Sequence, residues 1–349
     1  MARTIKTRRI RLDASTACQL RCPACPTASG EVGKNIGTGF LRFETFRELV
    51  DANPWVSTIE LSNWGEIFLN PHLPEIVKYA WKQNVRLLAH NGVNLNTVRD
   101  ETLETLVRYR FHYLSVSIDG ASPETYRIYR VRGDFDTVIE NVKKINHYKK
   151  LYRSRLPLLR WQFVAFGHNE HEIGKAREMA RSLGMDFVLK LNWENLYTDT
   201  FSPVHDADRI RDESARAVAS RSEFEAAEKK AFKAKTCRQL WRDPVVNFDG
   251  RILGCCINHW GDFGRVEHGR LVEGLTNEKI EYARDMLVGK APARADIPCV
   301  TCDVYEKMQK YQKWVSEDAI RYKLDPPRFV IGLLNKTLPR LAGRRLPEA

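Results

Sequence analysis

Along the first two hundred positions, apolar residues fall in short continuous runs. These alternate with segments whose apolar positions recur every three or four residues. The runs at 9–14, 58–62, 86–89, 113–118, 159–166 and 187–191 have the length of strands. Several are continuous rather than alternating, as expected for parallel strands covered on both faces. The segments 44–52, 74–83, 99–109, 137–148 and 170–183 carry the helical pattern. Strand alternating with helix predicts right-handed βαβ units and a parallel sheet, an α/β fold. Six units are too few to close an eightfold barrel. The expected architecture is a partial (β/α)6 barrel over residues 1–204, with its chemistry at the C-terminal ends of the strands.

The pattern changes after Pro203. Residues 205–235 are charged and alanine-rich, with no glycine or proline, and predict one long solvated linking helix. A second domain is expected over 236–325. Within it, Asn247-Phe-Asp-Gly250 followed by Arg-Ile-Leu reads as a hairpin, with Asp249-Gly250 supplying the positive φ of a tight turn. The tail, 326–349, mixes Phe329, Val330, Ile331, Leu333 and Leu334 with Arg340, Arg344 and Arg345. That mixture suits packing on its own domain, with contact to a membrane surface or a docked partner as alternatives. There is no internal repeat or low-complexity tract.

Composition narrows the class. The 349 residues suffice for one large core plus a smaller domain. With 43% apolar and 29% charged residues the chain reads as globular. It holds no apolar run long enough for a transmembrane helix, and its basic start lacks the apolar stretch of a signal peptide. A cytoplasmic location is expected, where clustered cysteines serve as metal ligands rather than disulfides. Lys and Arg number 56 against 44 Asp and Glu, a net +12 that favours anionic partners. The excess is spread out, with no RNA-binding signature. This argues against nucleic acid and for a generally basic surface.

The candidate chemistry begins at Cys18-Gln-Leu-Arg-Cys22-Pro-Ala-Cys25, directly after the first predicted strand. Three cysteines in eight residues leave one sulfur over from any disulfide pairing. Such a group suits an iron–sulfur cluster, in which three protein thiolates leave one iron open. A zinc knuckle that borrows a fourth ligand, or unrelated buried cysteines, are the alternatives. Five more cysteines lie in the C-terminal third: Cys237, Cys255, Cys256, Cys299 and Cys302.

The C-x3-C-x2-C loop resembles the signature of the radical SAM superfamily, and later strand ends extend the resemblance. Ser62-Asn63-Trp64-Gly65-Glu66 is similar to the family's glycine-rich turn ending in Gly-Glu-Pro, with Trp64 in place of the first glycine and no proline following. Backbone there can approach a ligand only where side chains are missing. Trp64 is therefore expected to point away or to form part of the substrate wall. His90-Asn91-Gly92 resembles Thr-Asn-Gly, and Ser115-Val-Ser117-Ile-Asp119-Gly120 resembles Ser-x-Asp-Gly. The stretch ending Arg132-Gly133-Asp-Phe135 is similar to Arg-Gly-x-Phe. The resemblance implies that Gly65, Glu66, Asn91, Ser117, Asp119 and Arg132 contact S-adenosylmethionine, Arg132 through its carboxylate. The family's aromatic before the third cysteine is here Ala24, which puts one adenine contact in doubt.

Cys237, twelve residues, Gly250, four residues and Cys255 resemble the opening of SPASM and twitch domains, and Cys299-x2-Cys302 completes a four-cysteine set. This implies a small C-terminal twitch/SPASM-like domain with one auxiliary 4Fe–4S cluster, zinc being the alternative. Cys256 is left over, either a small buried residue or a hydrogen donor to a substrate radical; Cys255 and Cys256 could trade ligand roles. The implied activity is a radical SAM enzyme in which a reduced cluster splits S-adenosylmethionine to a 5′-deoxyadenosyl radical, with electrons from an external donor such as flavodoxin or ferredoxin. Epimerisation through Cys256 is preferred to dehydrogenation through the auxiliary cluster. The cysteine motif starts at residue 18 with no leader-binding domain before it. This favours an anionic carbohydrate-, aminocyclitol- or nucleoside-like substrate over a ribosomal peptide.

Overall fold

The computed structural model describes residues 5–192, 201–229, 232, 237–320, 322 and 325–341. Seven strands form one sheet: β1 (Arg9–Leu12), β2 (Thr58–Glu60), β3 (Arg86–Val93), β4 (Tyr113–Ser117), β5 (Leu158–Ala165), β6 (Asp186–Leu191) and β7 (Val245–Val246). Their order is β6-β5-β4-β3-β2-β1-β7, and every pairing is parallel. Helices α1 (Glu31–Ile36) and α2 (Phe43–Ala52) follow β1. After β2 and β3 come α3 (Leu73–Lys82) and α4 (Asp100–Arg108); after β4 come α5 (Pro123–Tyr129) and α6 (Phe135–Leu151); α7 (Ile173–Ser182) follows β5. This is the expected open α/β fold, with the six expected strands and five expected helices matched to within a few residues at their ends; α1, α5 and the seventh strand β7 were not expected.

Local chemistry sets those ends. Ser122 caps α5 by accepting from the Thr125 amide at 3.3 Å, and Asp134 caps α6 from Thr137 at 2.7 Å. The third strand does not stop at Ala89, as expected, but runs on through His90-Asn91-Gly92 with a shift of register. Buried Glu60 accepts from the His90 amide at 2.8 Å, the Ser62 hydroxyl accepts from Asn91 at 3.1 Å, and Gly92 adopts φ 121°. Together they hold a bulge where the pattern alone suggested a turn. The core follows from the buried runs. Trp161, Phe46 and Phe163 are fully buried, each worth about 1.5–3 kcal/mol, and Trp161 spends its one donor on the Ile118 carbonyl at 2.8 Å.

Residues 205–235 are not one helix. They form α8 (Ala207–Glu213) and α9 (Arg221–Glu228), while residues 230, 231 and 233–236 lie outside those described. The break is local: the Ser220 hydroxyl accepts from the Glu223 amide at 2.9 Å, and Glu223 reaches back to the Ala219 amide at 2.8 Å. Ser-x-x-Glu is a helix-start signal visible in the sequence. The linking-helix reading passed over it because no glycine or proline marks the break.

The remaining helices are α10 (Gln239–Arg242), α11 (Leu271–Leu275), α12 (Glu278–Leu287), α13 (Asp303–Lys310) and α14 (Arg328–Leu341). The C-terminal third shares the barrel's core: Leu240, Val246, Ile252, Leu275 and Met286 pack in one cluster with Ile10 and Leu12. β7 lies beside β1, with Arg11 opposite Val245 and Leu12 opposite Val246. The hairpin after β7 forms, but only Gly250 takes positive φ (89°), closing a turn over 247–250 instead of a two-residue loop. In the tail, Arg328 donates to the carbonyls of Val56, Val50 and Asn53 at 2.7–3.0 Å, and Ile331 is buried. The first turn of α14 thus packs on its own chain, as favoured, while Phe329 and Leu333 stay exposed. Residues 342–349 lie outside those described. Among the described residues no helix is long and apolar enough to cross a membrane.

Asn70 is the buried bracket of the loop that leaves β1. Its amide donates to the Ala14 carbonyl at 2.8 Å and the Leu41 carbonyl at 2.9 Å. Asn70→Ala removes both bonds, leaving the Ala14 carbonyl only the Leu41 amide at 3.0 Å, and is expected to cost about 2 kcal/mol, measured as a lowered urea midpoint with unchanged m-value.

Candidate active site

The loop bearing Cys18, Cys22 and Cys25 leaves β1 at the C-terminal edge of the sheet, with Cys22 buried and the other two half-buried. It is stapled along its length. The Thr16 amide donates to the Gly39 carbonyl at 3.1 Å, Glu66 N–H to Ala17 at 2.8 Å, and Arg21 N–H to Val131 at 3.0 Å. A Cβ on Gly65 would lie 2.5 Å from the Ser15 carbonyl oxygen and 2.6 Å from that of Ala17, so glycine is required for this approach. Glu66 is buried and accepts from the Asn94 amide at 2.6 Å and the Phe68 amide at 3.2 Å. Burial pushes its carboxyl up to about 7 against the pull of those amides. Gly65 and Glu66 therefore hold the cysteine loop, whatever else they touch.

The other predicted cofactor contacts divide. Asn91 lines the central cavity, its carboxamide 2.7 Å from that of Asn63. Ser117 sits beneath Gly92, where a Cβ would meet its hydroxyl at 2.2 Å, and Gln162 donates to that hydroxyl at 3.4 Å. Asp119 is fully buried. Its carboxylate accepts from the Val164 amide at 2.6 Å and from the Arg130 guanidinium at 2.6 Å. Arg132 is exposed at φ 70° and does not line the cavity. Arg130, two residues earlier at the end of α5, points inward: it lies over the Tyr129 ring at 5.1 Å and its Nη1 reaches Cys22 Sγ at 3.7 Å. Nothing in the sequence separates these two arginines; the end of α5 turns one in and the other out.

The cysteine loop is short of positive charge. As a thiol, Cys18 is pushed up to about 12 by burial and by the Glu66 charge, and Cys22 to about 11 by burial against the opposing pull of Arg130. Bound iron would have to displace those protons, as metals do when they ligate thiols. The distal set behaves alike. Burial holds Cys255 well above the ordinary thiol range, reinforced by Cys302, Cys237 and Cys256; Cys299 is raised by burial and by Cys237, Cys255 and Cys302. Cys237, Cys255, Cys299 and Cys302 therefore lie within electrostatic reach of one another. Among the described residues no three His, Cys, Asp or Glu side chains converge on a site for a single metal ion.

Between the two cysteine groups lies a cavity of about 490 Å³, lined by both Cys25 and Cys256. Trp64 forms part of its wall, its ring edge-on to His259 at 5.1 Å. The fit is fastened from below. Asn247 donates to the Ile36 carbonyl at 3.0 Å, Arg251 donates to the same oxygen, and His259 Nδ1 lies 3.3 Å from the Asn35 amide nitrogen. Sequence reasoning missed Arg130, Asn94 and His259 because each acts only through a distant contact. It also missed Asp13, which is fully buried and whose carboxyl burial pushes well above the ordinary range, with Arg11 opposing and Cys256 adding to the shift.

Arg130 and Asp119 form a buried pair, so breaking it should be costly. Arg130→Gln is expected to destabilise the protein by about 3–5 kcal/mol, and Arg130→Gln/Asp119→Asn to recover most of it. Denaturant unfolding under anaerobic conditions measures both; equal losses in the single and double variants would show that the pair is not the source.

Residues 13–156 match the family model described as Radical SAM superfamily. The AdoMet-dependent heme synthase of Methanosarcina barkeri is 27% identical over 187 residues, 53% of this chain and 50% of that protein. The match thus spans half the length of that relative. Among solved structures, SuiB of Streptococcus suis bound to S-adenosylmethionine superposes with TM-score 0.60 at 12% identity, covering 86% of this chain and 71% of that one. Native anSMEcpe with bound AdoMet gives TM-score 0.57 at 13% identity, covering 96% and 98%. At such identities the likeness is one of fold. Residues 13–156, which contain the cysteine loop, the Gly65–Glu66 staple and the Asp119–Arg130 pair, thus form a radical SAM superfamily domain.

Proposed function

We propose that this radical SAM enzyme removes a hydrogen atom from a C–H bond of a carbohydrate-, aminocyclitol- or nucleoside-like intermediate, and that Cys256 returns one to the opposite face. The observation that carries this reading is the single cavity lined by both Cys25 and Cys256. Cys18, Cys22 and Cys25 suit three irons of a 4Fe–4S cluster with the fourth left open. When bound, that cluster and S-adenosylmethionine supply the 5′-deoxyadenosyl radical. The four-sulfur grouping of Cys237, Cys255, Cys299 and Cys302, buried or half-buried, suits an auxiliary 4Fe–4S cluster.

The chain's own residues do the rest. Trp64, Tyr129, Val164 and Ile257 give the cavity apolar walls, while Asn63, Asn91 and Gln162 offer amides that orient hydroxyl groups. Asn91 and Ser117 remain the candidate S-adenosylmethionine contacts; Gly65, Glu66 and Asp119 support the loop that carries the site. The Cys256 thiol gives up a hydrogen atom, and its sulfur then needs one electron and one proton, drawn from an external donor such as flavodoxin or ferredoxin and from solvent. Dehydrogenation is the second reading, favoured by the closeness of Cys256 to the four-sulfur group. A peptide substrate is favoured only by the fold shared with SuiB, a structure of which is bound to its precursor peptide SuiA.

Two outcomes test this reading. Cys18→Ala, Cys22→Ala or Cys25→Ala should abolish 5′-deoxyadenosine formation with dithionite, as read by chromatography; undiminished formation would refute the site. With an epimerisable substrate, Cys256→Ala should stop product formation yet preserve hydrogen abstraction, and wild-type product formed in D2O should carry one deuterium. Product free of deuterium would leave dehydrogenation as the surviving reading.

A further inference from the structure

The end of the sheet opposite the first cysteine loop carries an apolar and basic surface that no part of the chemistry uses. The loops that enter β2, β3, β4 and β5 lie side by side along this rim, and α14 crosses two of them. Arg328, in its first turn, grips the carbonyls of Val50, Asn53 and Val56 ahead of β2 at 2.7–3.0 Å. One turn later, a Cβ on Gly332 would lie 3.0 Å from the side-chain amide nitrogen of Asn84, ahead of β3. Four residues advance a helix about 6 Å, close to the spacing of neighbouring strands, so α14 follows the rim instead of leaving it.

With its inner face held in this way, α14 turns Phe329 and Leu333 outward, 70% and 61% exposed, with Leu334 beside them. Leu151 at the end of α6 and Leu158 at the start of β5 are 62% and 45% exposed on the same rim. Five of the nine exposed large apolar side chains among the described residues thus share one end of the molecule. Single apolar residues scattered over a surface need no explanation, but such a gathering marks an interaction site. The charge around it is mainly of one sign. Lys82, Lys150, Arg153 and Arg155 are exposed there, and none has a carboxylate of the described residues within ion-pair distance. Of the acids nearby, Asp325 is bound to Arg9, Asp51 accepts from the Tyr79 hydroxyl, and Asp186 stands exposed at the start of β6. Residues 326–347 hold five Lys and Arg and no Asp or Glu.

Exposed Leu and Phe interleaved with unpaired cations match the chemistry of a bilayer surface. The apolar side chains enter the acyl boundary while Lys and Arg meet the lipid phosphates. A nucleic acid would engage the cations and leave the aliphatic side chains in water. A second copy seated on the same patch would set like charge against like. We propose that the strand-entry rim and the outer face of α14 dock this protein on an anionic phospholipid bilayer, with the first cysteine loop held at the far end of the barrel.

The experiment is flotation of the anaerobically reconstituted full chain with vesicles of phosphatidylcholine alone, and with vesicles of an equimolar mixture with phosphatidylglycerol. The protein should float with the mixed vesicles only, and about 1 M salt should release it. Phe329→Ser/Leu333→Ser and Arg153→Gln/Arg155→Gln should each weaken binding at least about tenfold. Lys175→Gln, exposed at the start of α7 on the opposite rim, should stay within about twofold of wild type. Circular dichroism checks that the variants fold, and Leu151→Ser is the second variant should either pair misfold. Failure to float with the mixed vesicles would overturn the proposal. So would flotation that Phe329→Ser/Leu333→Ser leaves unchanged, which is attraction of charge alone. A wild-type dimer in light scattering that the same change splits would give the surface to a second copy and overturn it. Duplex DNA bound more tightly than the mixed vesicles through Arg153 and Arg155 would give it to nucleic acid, with the same result.

Discussion

The active end of this protein depends on one close backbone approach. Gly65 brings the end of β2 against the carbonyls of Ser15 and Ala17, nearer than any side chain would permit. That contact sets the height of the cysteine loop above the sheet. Glu66, the next residue, is buried to hold it there and also ties down the bulged segment through Asn94. A second bulge support, Glu60 at the end of the same strand, accepts from the His90 amide. Buried carboxylates spent on backbone amides are costly to desolvate. Here they hold strand ends that no ordinary ladder pairing could hold.

Charge is distributed unevenly around this frame. The first cysteine loop has the buried cation Arg130 against it, and that cation is shared with Asp119. Cys255 and Cys299 are raised by burial and by the sulfurs around them.

The C-terminal third is built onto the barrel instead of hanging from a linker. β7 continues the sheet beside β1, Asn247 and Arg251 grip the end of α1, and His259 meets Trp64. α1 follows directly from the first cysteine loop, so any shift of the distal loop is felt there. A single packed core transmits such displacements because its side chains have little room to yield.

Much of this was legible in the residues. Continuous apolar runs separated by helical periodicity determined the parallel sheet, since a strand covered on both faces has no polar side to show. The spacing of Cys18, Cys22 and Cys25 determined a three-thiolate loop at a strand end. Asn247–Gly250 announced its hairpin through the one residue that tolerates positive φ. The sequence could not determine which arginine serves Cys22, because Arg130 and Arg132 differ only in which side of a helix end they occupy. Nor could it show that the Asp119 predicted to face a cofactor is spent on Arg130, whereas the Ser220–Glu223 break was written locally as a capping pattern. Those choices, and the cavity that brings Cys25 and Cys256 to one space, belong to tertiary structure. They depend on which side of a helix end a side chain falls and on what packs against it from elsewhere in the chain, as Cys22 does on Arg130, and local pattern carries no record of that partner.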